Sequence, residues 1–138
     1  MELLIDGRAH NSHFLKDVES LKQWLLRAAE EAKMTVFGEP QVYHTSFPLR
    51  PPLKDSGLSG IVFLGESNIT VHTYPEFKWV SINLYTCKDI DPPEELLVFI
   101  KKSMVLSFYQ AFCFQRGVDL DTGEPQETKL LWSITEGS

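Results

Sequence analysis

Six polar side chains in the middle of the chain are of the kinds from which nucleophiles, general acids and bases, and binding contacts are made. They fall in the run SGLSGIVFLGESNITVHTYPEFKWVSINLYTCKD, Ser56 to Asp89, and are Ser59, Glu66, Ser67, His72, Glu76 and Cys87. The apolar residues between them alternate as in strands. By that parity Val80, Ile82 and Leu84 face a core, while Ser81, Asn83, Tyr85 and Cys87 point the other way. Ile69 and Val71 likewise share a face, leaving Thr70, His72 and Tyr74 on its opposite. A hairpin around Tyr74-Pro75-Glu76-Phe77 then puts the imidazole and the thiol on one face of one sheet, away from the apolar side. Taken singly, each group has a plainer use. Ser67 is a turn former, His72 a hydrogen-bonded imidazole, Ser59 a strand-start hydroxyl, Glu66 and Glu76 turn charges, and Cys87 a small buried apolar residue.

The rest of the chain supplies what must position them. Its 138 residues suit one globular domain, 1–138, able to bury its own core. Residues 2 to 6 read as a short strand ended by Asp6-Gly7. Asn11-Ser12 offers a cap for one long helix, Phe14 to Lys33, whose apolar stripe includes Leu21, Trp24, Leu25 and Ala28. Met34 to Tyr43 is rich in strand formers but interrupted at Gly38-Glu39-Pro40, and Phe47 to Lys54 is a proline-dense connection. Asp91-Pro92-Pro93-Glu94-Glu95 starts a second helix, with carboxylates at the positive end of its dipole. Ser107 to Gln115 reads as another strand, Lys129 to Ile134 as an edge strand, and the last residues as loose. This order gives an α+β, two-layer sandwich: an antiparallel sheet with two helices packed on one face. The other face, with Tyr74, Tyr85 and Trp79, suits a partner subunit.

A net charge of -6 with no Lys/Arg cluster argues against nucleic acid and anionic membrane as partners. No apolar run is long enough to span a bilayer, and the start lacks the basic end of a signal peptide, so a cytoplasmic protein is expected. Cys87 and Cys113 lack CxxC spacing, which removes most support for zinc, and no metal is expected. Cys113, between Phe112 and Phe114, reads as a buried apolar residue.

Glu66-Ser67, His72 within HTYPE and Cys87 within YTC, preceded by Ser59, are spaced as E-S-x4-H-x-x-P-E-x10-C. This pattern resembles the prokaryotic S-adenosylmethionine decarboxylase family, clearly from Ser59 to Cys87 and more faintly on either side. The resemblance implies a homodimer with sites near the join and a pyruvoyl cofactor made from the backbone. Ser67 would attack the Glu66 carbonyl, and elimination of the ester would leave chains 1–66 and 67–138, the second beginning with the pyruvoyl group. That ketone forms a Schiff base with the substrate amine and withdraws electrons as carbon dioxide leaves.

The roles implied are Ser67 as cofactor source, His72 and Ser59 in processing, Cys87 as proton donor, and Glu76 on the ribose hydroxyls. Glu66 and Phe47 complete the substrate contacts. The product would feed polyamine (spermidine) synthesis. The sequence departs from the family at Gly65, Asn68 and Lys88, and more seriously at Leu53, which stands where an adenine-stacking phenylalanine is expected. Two alternatives therefore stay open: a self-processing enzyme for another amino acid such as arginine or ornithine, and an uncut, non-catalytic binding or regulatory paralogue.

Overall fold

Alternating apolar and polar side chains build seven strands in the computed structural model, which describes residues 1–44, 57–87 and 93–138. The strands are β1 (Glu2–Ala9), β2 (Val36–His44), β3 (Leu58–Leu64), β4 (Ser67–Tyr74), β5 (Trp79–Thr86), β6 (Leu106–Gln115) and β7 (Lys129–Gly137). They form one antiparallel sheet in the order β2-β3-β4-β5-β1-β6-β7. Chain order runs through the β2–β5 meander, and β1 is slotted between β5 and β6. Three helices, α1 (Ser12–Lys16), α2 (Val18–Glu31) and α3 (Pro93–Met104), lie against one face.

The core between the layers follows the parity expected for β4 and β5. Ile69, Val71, Val80, Ile82 and Leu84 are buried together with Leu21, Trp24 and Leu25 of α2 and Leu96 and Ile100 of α3. Cys113 is buried in the same layer. Trp24 stacks on Phe99 with ring centroids 5.9 Å apart and donates its indole N–H to Ser103 Oγ at 2.8 Å, so one side chain ties α2 to α3. Burial of so large an aromatic with its polar atom satisfied is among the larger single contributions a core residue makes.

Several sequence expectations change. The long helix is two, broken at Asp17, whose carboxylate Oδ2 accepts from Ser20 N at 2.8 Å and from Ser20 Oγ at 2.7 Å and so starts α2. The apolar stripe continues through the break, which is why spacing alone reads as one helix, and the helix layer has three members instead of two. β1 does not stop at Asp6-Gly7 but runs to Ala9. Gly7 is needed there for close approach: a Cβ on it would meet Phe108 O at 2.9 Å and Tyr109 Cβ at 3.1 Å on β6. β2 survives its Gly-Glu-Pro interruption through a register shift between Phe37 and Gln41. β7 is an edge strand as expected, yet it reaches Gly137, so the tail is paired. There Tyr109 and then Lys101, as hydrogen-bond donors, hold the Glu136 carboxyl below its ordinary range. The expected start of α3 at Asp91-Pro92 lies outside the described residues.

Thr73 is a buried polar joint between sheet and helix. Its Oγ1 accepts from Leu58 N at 2.8 Å and donates to Leu15 O at 2.8 Å. Thr73→Val keeps the shape but strands a buried backbone N–H and a buried C=O, which should cost about 2–4 kcal/mol. A thermal melt is expected to show a Tm lower by roughly 10 °C, and an unchanged Tm would refute the joint.

Candidate active site

One two-residue turn, one longer turn and strand register decide where the six polar groups go. Leu64 pairs with Ser67, so Gly65 and Glu66 alone make the β3–β4 turn. Glu66 takes the left-handed backbone there, φ 62°, although glycine precedes it. A non-glycine residue held so costs on the order of 1–2 kcal/mol, and here the cost falls on the residue whose carbonyl precedes Ser67. Gly65 N donates to Thr35 O at 3.3 Å and anchors the turn. Ser67 opens β4 with its side chain on the helix side, 8% exposed, between Leu64 and Thr86. Cys87 follows Thr86 and continues the Asn83, Tyr85 alternation one residue beyond β5. Its Sγ donates to Glu66 Oε2 at 3.1 Å.

The second group sits at the other end of β4. Ser59 and His72 are register partners, and Ser59 Oγ lies 2.9 Å from His72 Nδ1. His72 is exposed on the face without helices, as parity requires. Glu76 lies just beyond, in the 3-10 turn Pro75–Phe77 that Lys78 ends with φ 49°. The chain thus carries two clusters, Glu66–Ser67–Cys87 and Ser59–His72–Glu76. Residues 67 and 72 differ in parity and stand about 16 Å apart along the strand at ~3.3 Å per residue. His72 cannot reach the Ser67 α-carbon of its own chain.

One feature of this face was not found from sequence. Ser59, His72, Ser81, Asp6 and Gln110 form a single row across five strands, every member polar, and Ser81 Oγ donates to Asp6 Oδ1 at 2.5 Å. Parity could have placed Ser81 beside His72. Asp6 could not be placed, because nothing local says that β1 joins β5. Phe47, Leu53 and Lys88 lie outside the described residues. Among the described residues no three His, Cys, Asp or Glu side chains gather as a metal-ligand set, and no helix is long and apolar enough to cross a membrane.

Comparison with known proteins decides the kinship. The family model described as S-adenosylmethionine decarboxylase matches residues 1–117. The chain belongs to the S-adenosylmethionine decarboxylase family. A relative from Thermodesulfovibrio yellowstonii named S-adenosylmethionine decarboxylase proenzyme is 30% identical over 84% of this chain and 79% of its own length. Another of the same name from Pyrococcus abyssi is 24% identical over 94% of this chain and 86% of its own. A crystal structure of the adenosylmethionine decarboxylase from Aquifex aeolicus VF5 superposes with a TM-score of 0.64 at 22% identity, covering 80% of this chain and 83% of that one, and shares the fold. Both clusters lie within the span matched to the S-adenosylmethionine decarboxylase family, whereas β7 lies beyond it.

Proposed function

We propose that the chain is a proenzyme that cuts itself between Glu66 and Ser67 and then decarboxylates S-adenosylmethionine, giving the aminopropyl donor for polyamine synthesis in the cytoplasm. The observation that carries this reading is the Glu66–Ser67 bond itself. It lies in an exposed two-residue turn, with Glu66 held in the left-handed region and Cys87 bonded to it.

The steps of the cut use the chain's own atoms. Ser67 Oγ bonds to the Glu66 carbonyl carbon, and the C–N bond breaks, turning the peptide into an ester with an amine at 67. Removal of the Ser67 α-proton expels the Glu66 carboxylate and leaves a carbon–carbon double bond. Water then replaces the nitrogen, which departs as ammonia, and a ketone remains. The residues fit a pyruvoyl group so made: a serine follows a strained carbonyl, and a thiol stands across β4–β5 from it. When present, that group supplies an acceptor for the electron pair left as carbon dioxide departs. His72 is the base for the α-proton. With Nδ1–H donated to Ser59 Oγ, Nε2 carries the lone pair, and the Ser59 hydroxyl hydrogen is left to donate to the oxygen that gains charge during the acyl shift. Glu76 offers two acceptor oxygens to the ribose diol.

Because residues 67 and 72 are too far apart within one chain, the reading requires a homodimer. Two open faces stacked with a two-fold axis bring the Ser67 end of one chain over the His72 end of the other. The face is suited to burial. Trp79 stacks with Phe108 at 6.2 Å, and Phe112, Phe114 and Tyr85 share the same side. Seven strands ~4.8 Å apart and ~26 Å long offer roughly 750 Å² per partner, the size of a standard specific interface.

Carbon dioxide release from carboxyl-labelled S-adenosylmethionine, arginine and ornithine tests the substrate. Turnover of the nucleoside is expected, with the free amino acids at background. Turnover of arginine or ornithine alone would overturn the assignment, and no turnover of any by a cut chain would count against a decarboxylase.

A further inference from the structure

Cys87 faces Glu66 because the β4–β5 register that pairs Ser67 with Thr86 continues one step past both strands. The left-handed turn places the Glu66 carboxylate there, and the thiol donates to its Oε2 at 3.1 Å. A carboxylate that accepts an S–H bond favours the thiol over the thiolate, since ionisation would lose the bond and set two negative charges in contact. Nucleophilic cysteines have the reverse surroundings, with cations or a helix N-terminus beside the sulfur. Described charges at this end of the sheet include Glu66, the Met1 ammonium on the Thr86 carbonyl at 2.7 Å, the Glu2–Arg116 pair at 2.7 Å, the Lys33–Glu95 pair at 3.8 Å behind the β3–β4 turn, and Lys129 on β7. Glu66 is bonded to the sulfur by a hydrogen bond at 3.1 Å.

We propose that the Glu66 side chain is a positioning residue for Cys87, holding it as a protonated thiol aimed along the β4–β5 end until a substrate carbon takes the proton. This rests on the decarboxylase reading and adds to Glu66 a role apart from being the residue before the cut. When the proton is delivered, the S–H bond breaks, a C–H bond forms, and the S–H electron pair stays on sulfur. The thiolate is then left against a carboxylate, an arrangement that drives it to regain a proton from water before the next turnover.

The test needs no cut and no cofactor. In the Ser67→Ala chain, alkylation of Cys87 by iodoacetamide is followed against pH by peptide mass, with the fully buried Cys113 as the sign that the sheet is intact. Adding Glu66→Gln is expected to lower the pH midpoint by about one unit. At neutral pH the rate should rise only about threefold to fourfold, because tenfold more thiolate is partly offset by its weaker nucleophilicity. Glu66→Ala should shift the midpoint in the same direction. A midpoint that does not move in either variant would overturn the proposal. Since the chain in this test never cuts, that failure is separate from any failure of self-processing.

Discussion

Co-expressed Ser67→Ala and His72→Ala chains should release carbon dioxide from S-adenosylmethionine at about a quarter of the wild-type rate, although each variant alone is close to inert. The fraction follows from the geometry. In the proposed dimer each site takes the Glu66–Ser67–Cys87 cluster from one chain and the Ser59–His72–Glu76 cluster from the other. In a mixed dimer one site therefore collects both substitutions, and its mate collects neither. Random pairing of equal amounts makes half of the dimers mixed, and each of those has one intact site of two. Ser67→Ala alone has no hydroxyl to start the acyl shift, so its activity should fall on the order of a thousandfold or more. His72→Ala alone loses the base proposed for the α-proton, an expected deficit of about 10²–10⁴ in the elimination. If mixing restored nothing while the mixed dimers formed, the two clusters would have to act within one chain, against the ~16 Å that separates them along β4.

The inner face of β4 and β5 was legible because alternation is a local property, and Ile69, Val71, Val80, Ile82 and Leu84 all lie where parity put them. The break at Asp17 was not, because the apolar stripe of α1 and α2 runs straight past the cap that divides them. Gly7 read as a strand end, yet it sits mid-strand to admit β6, which is far away in sequence. The Ser59–His72 contact depends on a turn of only two residues, since one more would move His72 out of register. The same length dependence governs Glu66 and Cys87, which are brought together by the turn through Pro75–Phe77. That Ser67 and His72 occupy opposite faces was already implied by their odd separation. Asp6 beside Ser81 was hidden, because β1 reaches β5 only through the global topology.

The second large effect concerns maturation itself, and it gives the most direct measurement. The chain holds Glu66 in a strained turn with a serine next to it, a combination that acyl shift followed by elimination would relieve. Intact-mass spectrometry of freshly purified protein should find two chains, residues 1–66 and 67–138. Their masses should add to about 1 Da more than the uncut chain, since water enters and ammonia leaves, instead of about 18 Da for simple hydrolysis. Treatment with an amine and cyanoborohydride should label only the fragment beginning at residue 67. A single intact chain that takes no such label would contradict the account.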